Sequence, residues 1–352
     1  IYTALGTYTM RTYQVADVEE KYSSSNYVAI RVLTVFAAAV GCGIYGLAVS
    51  PSTATLLAVL SFLLFKADES FVNVLYGCDQ KSMRLDYVGK SQVIRGCIVV
   101  AVFVAGMLAT RNLPLTLTLI AASCFLVTLL FDIRKTSGLV DSLAPHIGRA
   151  KAAELLKTLF PTVVGNVLAG LVTSAARQYF GIAYGEEALG IYASVATPCV
   201  IIQVLAQNLY APMLGPIAEL KSKDMHERAR QQSGKLLLLV IGVALALSAV
   251  LILCSKWFLG LLYGESILSY TNVLPLALVV TTGIAALSVV TDLLVVYERL
   301  KQTLVVNVIA FTAMAITLVP FTSLWYMNGL NFSLILGYTT AALYGLIVLA
   351  QS

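Results

Sequence analysis

Lys66, Glu69, Ser70 and Asn73 follow one another at i, i+3, i+4 and i+7 inside an otherwise apolar run. On a helix that spacing lays all four along one face. Asp68 points nearly the opposite way, among Leu64, Val72 and Leu75. At the centre of a bilayer-spanning helix each ionised residue costs roughly 2.5–3.5 kcal/mol, and about a dozen large apolar neighbours return ~0.3–0.6 kcal/mol apiece. The two sums nearly cancel, so this helix does not face lipid all round. Two accounts fit the stripe: an internal Lys66–Glu69 pair that pins helices together, or the polar wall of a water-filled cavity on a substrate path.

Other polar residues stand in apolar surroundings. Arg177, followed by Gln178, lies near the end of an apolar run, where it either snorkels to the interface or lines a cavity. Gln203, Gln207 and Asn208 share helical spacing and suit hydrogen bonds to a neighbouring helix or to a polar ligand. Asp292 precedes Glu298, Arg299 and Lys301, which reads as an interfacial salt-bridge network.

Several chemistries lack their residues. The six cysteines show no metal-binding spacing and lie in or beside apolar segments, as small core residues do. His146 and His226 sit in polar connectors without a carboxylate or thiol arrangement around them. No nucleotide-binding loop, metal cluster or nucleophile motif occurs, so neither an enzyme nor a cofactor is expected. Any transport must draw on an ion gradient, the membrane potential or the substrate's own gradient.

The elements that position these residues follow from composition. Of 352 residues 59% are hydrophobic and 12% charged, with mean hydropathy +0.86. A soluble domain carries roughly 25% charged residues. The net charge of +5 is scattered between apolar runs rather than gathered in a patch, which argues against nucleic acid. A spanning helix needs about 20 apolar residues. Ten segments qualify: 29–48, 53–77, 92–109, 113–132, 159–180, 187–214, 234–254, 270–295, 302–321 and 330–350. The expected fold class is therefore all-α, a polytopic membrane protein with almost no mass outside the bilayer.

With connectors assigned alternately to two sides, all 23 lysines and arginines except Lys66, Arg111, Arg177 and Lys256 fall on one side. That side is expected to be cytoplasmic, with both chain ends on it. Residues 149–160 mix cations with apolar positions at helical spacing and read as an interfacial helix. Segments one to four and seven to ten share a plan of links. Leu75-Tyr76-Gly77-Cys78-Asp79-Gln80-Lys81 corresponds to Val295-Val296-Tyr297-Glu298-Arg299-Leu300-Lys301. This is the pattern of a parallel repeat, complete if two helices precede Ile1. The expected organisation is an incomplete lobe over 1–132, a linker over 133–158 and a second lobe over 159–352.

Three passages carry a family resemblance. Gly6-Thr7-Tyr8-Thr9-Met10-Arg11-Thr12-Tyr13-Gln14-Val15-Ala16-Asp17, with Tyr27 and Arg31 after it, is one. Asp68-Glu69, then Tyr76-Gly77, Gln80, Arg84 and Lys90-Ser91 form the second. Arg177-Gln178-Tyr179-Phe180 and Gly185-Glu186-Glu187-Ala188-Leu189-Gly190-Ile191-Tyr192 form the third, with Gln207 and Pro212 beyond. The chain resembles the polysaccharide repeat-unit flippases (O-antigen or teichoic-acid type) of the multidrug/oligosaccharidyl-lipid/polysaccharide exporter superfamily. That resemblance implies twelve helices in two lobes, of which ten remain in an N-terminally truncated chain. It implies flipping of undecaprenyl-diphosphate-linked oligosaccharide across the bacterial cytoplasmic membrane by alternating access. Arg11, Arg31, Lys66 and Arg177 would be the cavity cations, and a polysaccharide polymerase, glycosyltransferases and membrane lipids the partners.

Two other classes compete. An ion-coupled drug or cation exporter of the same superfamily would favour an acidic or aromatic cavity. A membrane-embedded polymerase or assembly subunit would carry a sizeable extramembrane loop, and the outward links here are short.

Overall fold

The computed structural model describes residues 2–49 and 52–351. Ile1, Ser352 and the first outward link at Ser50 and Pro51 lie outside the described residues. Two short helices open the chain, α1 (Tyr2–Thr7) and α2 (Met10–Ala16). Long helices α3 (Ser24–Val49), α4 (Thr53–Lys81), α5 (Leu85–Thr110) and α6 (Leu113–Val127) follow. A π-helical turn, Thr128–Asp132, carries α6 into α7 (Ile133–Thr136). Next come α8 (Arg149–Tyr184), α9 (Glu186–Ala196), α10 (Val200–Ser222), α11 (His226–Leu253), α12 (Ser255–Tyr263), α13 (Leu274–Val296) and α14 (Leu300–Ala350). No strand occurs among the described residues.

Local chemistry sets the helix ends. The Ser52 hydroxyl accepts from Thr55 N at 3.2 Å and starts α4, and Asn112 does the same for α6 through Leu115 N at 3.0 Å. Gly185, with φ 94°, makes the break between α8 and α9 that a side chain would resist. Proline stands inside helices at Pro161, Pro212, Pro216 and Pro320, which is tolerated where neighbouring helices meet the freed backbone groups.

Eight helical stretches among the described residues are long and apolar enough to cross a membrane. The helix α4 is the exception, with Lys66, Asp68 and Glu69 in its apolar stretch. The last stretch counts twice, because α14 doubles back at Tyr326 (φ 51°, ψ −123°). Beyond that turn Gly329 lies against Phe321, whose carbonyl oxygen an added Cβ would strike. Further along Gly337 lies on Ala310, and the Tyr344 hydroxyl donates to Gln302 Oε1 at 2.9 Å. Contacts that widen in sequence on both sides of Tyr326 belong to an antiparallel hairpin. The ten apolar segments thus recur as ten passes.

Large apolar side chains face outward along these helices, among them Leu108 at 78%, Ile182 at 87% and Leu253 at 85% exposure. Water-soluble monomers rarely expose apolar surface on this scale. The chain is a polytopic all-α membrane protein.

The chain forms two compact units, Ile1–Val163 and Val164–Ser352. In the first, α4 is central: it packs against α3, α5 and α6, with α1 and α2 also on it. In the second, α13 is central to α10, α11 and α14, and its buried residues anchor the core with Val172, Phe180, Tyr192 and Ile202. Residues 149–160, expected as a separate interfacial helix, are the first turns of α8. At 36 residues and ~1.5 Å per residue, α8 outruns a ~30 Å hydrocarbon core.

Candidate functional site

In the first unit the polar groups converge on α4. Arg31, from α3, is 0% exposed. Its Nη1 donates to Gly6 O at 3.1 Å and its Nη2 to Asn73 Oδ1 at 3.3 Å. Its Nε has no partner among the described residues. Thr34 donates to the same carbonyl at 2.9 Å. Arg11, from α2, reaches Gln80 Oε1 with Nε at 3.2 Å and Nη2 at 2.9 Å, and lies 5.7 Å from the Tyr76 ring centre. The stripe read from spacing is therefore met at Ser70 by Gly6 of α1 and at Asn73 by Arg31 of α3, while Arg11 of α2 reaches Gln80, beyond the stripe.

Lys66 behaves differently. Its Nζ sits 2.6 Å from Glu69 Oε2 on the same helix, with the two side chains 27% and 49% exposed. The ammonium also lies over the Phe62 and Phe65 rings. The structure brings Arg31 together with Asn73, whereas Lys66 and Glu69 bond to each other.

The most heavily bonded charge in this unit is Arg95, which sequence reading counted among the topology signals. It lies on α5 and pairs with Asp68 Oδ2 at 2.5 Å and Asp132 Oδ2 at 2.9 Å. The same guanidinium meets the Thr128 hydroxyl and donates to Ser91 Oγ at 3.3 Å. Ser91 pairs with the Tyr76 hydroxyl at 2.7 Å. Asp68 thus has ionic and hydroxyl partners besides its apolar neighbours. One signal for this existed in the sequence: Asp68 stands off the polar stripe in mid-membrane, where a charge needs a partner.

In the second unit a cavity of about 310 Å³ opens between α8, α9, α10, α13 and both arms of α14. Arg177 is the one charged residue in its lining, beside Asn166, Thr173, Gln203, Ser288 and Asn307. The Arg177 guanidinium lies 5.8 Å from the Tyr192 ring centre, and its Nε has no partner among the described residues. Tyr192 is fixed from behind by its hydroxyl, which donates to Asn331 Oδ1 at 2.8 Å. Thr173 and Tyr338 pair at 2.7 Å. Asn307 donates to Thr303 O at 2.8 Å and leaves its own Oδ1 unpartnered. The wall is therefore cationic at one point and rich in amides and hydroxyls elsewhere. Such a surface can hold an anion and the polar groups attached to it.

Gln203 lines this cavity, while Gln207 and Asn208 lie exposed on α10. Asp292 accepts from Tyr210 at 2.8 Å, and Glu298 pairs with Lys221 at 3.0 Å. Among the described residues no group of three or more His, Cys, Asp or Glu is placed to hold a metal ion.

No protein-family profile matches the chain. It is 21% identical over 263 residues to the capsular polysaccharide biosynthesis protein CapF of Staphylococcus aureus. That match covers 73% of this chain, which spans 65% of the length of CapF. The solved structures it resembles are MATE transporters. With the Vibrio cholerae MATE transporter VcmN in its bent form the TM-score is 0.78 at 13% identity, covering 99% of this chain and 84% of that one. With the eukaryotic MATE transporter AtDTX14 it is 0.78 at 15% identity, covering 100% and 83%. With the multidrug transporter DinF-BH, solved in complex with R6G, it is 0.79 at 11% identity, covering 100% and 83%. At these identities the likeness is one of fold: this multi-pass membrane chain has the fold of the MATE transporters.

Proposed function

We propose that the chain belongs to a membrane transporter that moves polyprenyl-diphosphate-linked oligosaccharide from the cytoplasmic to the outer leaflet of a bacterial inner membrane. The observation that carries this reading is a pair of cations, Arg31 buried and Arg177 half-buried, without carboxylate partners among the described residues. Arg31 is enclosed against a carbonyl and an amide, and Arg177 is the one charge in a polar cavity. A guanidinium kept in the bilayer without a counter-ion is costly unless its function is to meet an anion. A diphosphate supplies that anion, the amides and hydroxyls around Arg177 suit sugar hydroxyls, and the tail stays in lipid. The capsule-biosynthesis match points the same way.

A second reading, an ion-coupled exporter of drugs or organic cations, is favoured by the structural neighbours, two of which are multidrug transporters. Charge separates the two. Reconstituted full-length protein should flip a fluorescent lipid-linked oligosaccharide. Arg177→Gln and Arg31→Gln should lower the rate at least tenfold, and Lys66→Ala should abolish it, each without loss of protein from the membrane. Efflux of a cationic dye that those arginine substitutions leave intact or improve, with no glycolipid movement, would decide for the exporter.

A further inference from the structure

We infer that Tyr184 and Tyr326 form a stacking platform for a neutral sugar ring, and that the ring they take lies beyond the sugar nearest the diphosphate. This deepens the transport reading above and rests on it, since it is a glycan that must extend from the Arg177 cavity.

Ring geometry is the first ground. On α8, Arg177, Phe180 and Tyr184 stand at i, i+3 and i+7, along one face. The Phe180 ring centre lies 4.9 Å from that of Tyr184, 5.4 Å from Tyr326 and 6.3 Å from Tyr192. Tyr184 and Tyr326 meet edge to face at 5.2 Å. Phe180 and Tyr192 are buried, whereas Tyr326 is 43% exposed and Tyr184 half-buried. Two buried rings thus back two accessible ones. The row is continuous with the cavity, because Tyr192 lines it and the Arg177 guanidinium lies 5.8 Å from the Tyr192 ring centre.

Backbone conformation is the second ground. Tyr326 turns α14 back at φ 51° and ψ −123°, which glycine adopts freely and a side chain resists. Strained residues of this kind concentrate at ligand clamps and switch regions. Glycine would make the same turn without strain, but only the tyrosine sets a ring against α8.

Chemistry selects the occupant. The face of an aromatic ring is negative, and the weakly positive axial C–H bonds of a pyranose pack against it. An organic cation is drawn to the same face, but here it would approach the Arg177 guanidinium. Glu186 and Glu187, exposed at the start of α9, disfavour an acidic sugar. The cavity of about 310 Å³ stands at the lower end of ligand pockets and does not enclose an oligosaccharide. Tyr184 lies seven residues beyond Arg177, ~10 Å along the helix. A diphosphate held at Arg177 therefore leaves its first sugar in the cavity and brings a later one to the rings.

The test measures binding, by full-length protein in lipid nanodiscs, of radiolabelled polyprenyl diphosphate carrying one or three N-acetylglucosamine residues. Tyr184→Leu and Tyr326→Gly, the second of which suits the backbone, should weaken binding of the trisaccharide form roughly fivefold. Both should leave the monosaccharide form unchanged, Arg177→Gln should weaken both forms, and Tyr326→Phe, which keeps the ring, should bind as the wild type does. Equal losses for the two forms would mean that the rings only brace the hairpin or anchor it at the membrane interface. That result overturns the platform and leaves the transport reading standing, as does unchanged binding of the trisaccharide form. Tyrosine variants that lose affinity for a cationic rhodamine rather than for the trisaccharide form overturn it too. Wild-type protein that binds neither glycolipid removes the transport reading itself, and the platform with it.

Discussion

Arg95 and Lys21 show how differently two ion pairs act in one molecule. Lys21 lies outside the membrane-spanning segments, 2.7 Å from Glu154, with both side chains about half exposed. The hydrogen bond it donates to Glu154 holds its ammonium above the usual lysine range. The same bond holds the Glu154 carboxyl below its usual range, so whatever the contact contributes is present at neutral pH and lost in strong alkali or in acid that protonates Glu154. Exposed pairs of this kind add little, so Lys21→Gln should leave the thermal midpoint in detergent unchanged. Breaking a buried pair on one side leaves an uncompensated charge and typically costs about 3–5 kcal/mol. Arg95→Gln should therefore lower the midpoint strongly, and adding Asp68→Asn and Asp132→Asn should recover much of the loss. A drop with Lys21→Gln as large as with Arg95→Gln would contradict this ordering. The same contrast marks what was legible. The stripe of Lys66, Glu69, Ser70 and Asn73 is a property of one helix and could be read from spacing. The partners of Arg95 come from α4, α6 and the turn after α6, and no local pattern joins them. Arg31 was readable as a cation but not as a buried one, because it stands only a few residues from the polar start of α3.

Among the elements, hydropathy located every apolar segment, since each must satisfy its own backbone in lipid. It did not mark where helices run on through polar sequence. Arg149, Lys151 and Lys157 read as a separate interfacial helix because cations alternate there with apolar positions, yet they open α8 without a break. The α14 hairpin makes the sharpest demand on sequence. With the Phe321 carbonyl oxygen against the position of a Gly329 Cβ, even one methyl group must push the two arms apart. Between membrane helices, close approach through small residues is a principal source of packing energy. Gly329→Ala should sharply reduce the yield of monodisperse protein, while Gly242→Ala, on α11 with open space around its Cβ position, should be neutral. Size-exclusion profiles of the two variants provide the comparison, and equal behaviour would mean that the hairpin does not close as tightly as described.

For the whole molecule the fold was legible because one count satisfied two independent constraints. Ten apolar segments, alternated across the bilayer, put nearly all lysines and arginines on one side, and an error of one segment would have scrambled that bias. The hairpin is where the count is most exposed to test, since the Leu300–Ala350 stretch has the continuous hydropathy of a single long helix. Between Ser82 and Gln351 the chain crosses eight times if α14 turns back at Tyr326, and seven if it does not. In a background with Cys97 and Cys254, the two exposed cysteines, changed to serine, Ser82→Cys and Gln351→Cys should react with an impermeant thiol reagent from the same side of sealed vesicles. Asn112→Cys and Glu265→Cys should react from the other. Parity makes the outcome binary: opposite labelling of positions 82 and 351 would remove the hairpin and, with it, the two-armed wall that α14 gives the Arg177 cavity. Labelling of 82 and 351 from one side would fix an even number of crossings between them independently of any resemblance to a transporter. It would also show whether the basic connectors face the cytoplasm, as a carrier loading its substrate there requires.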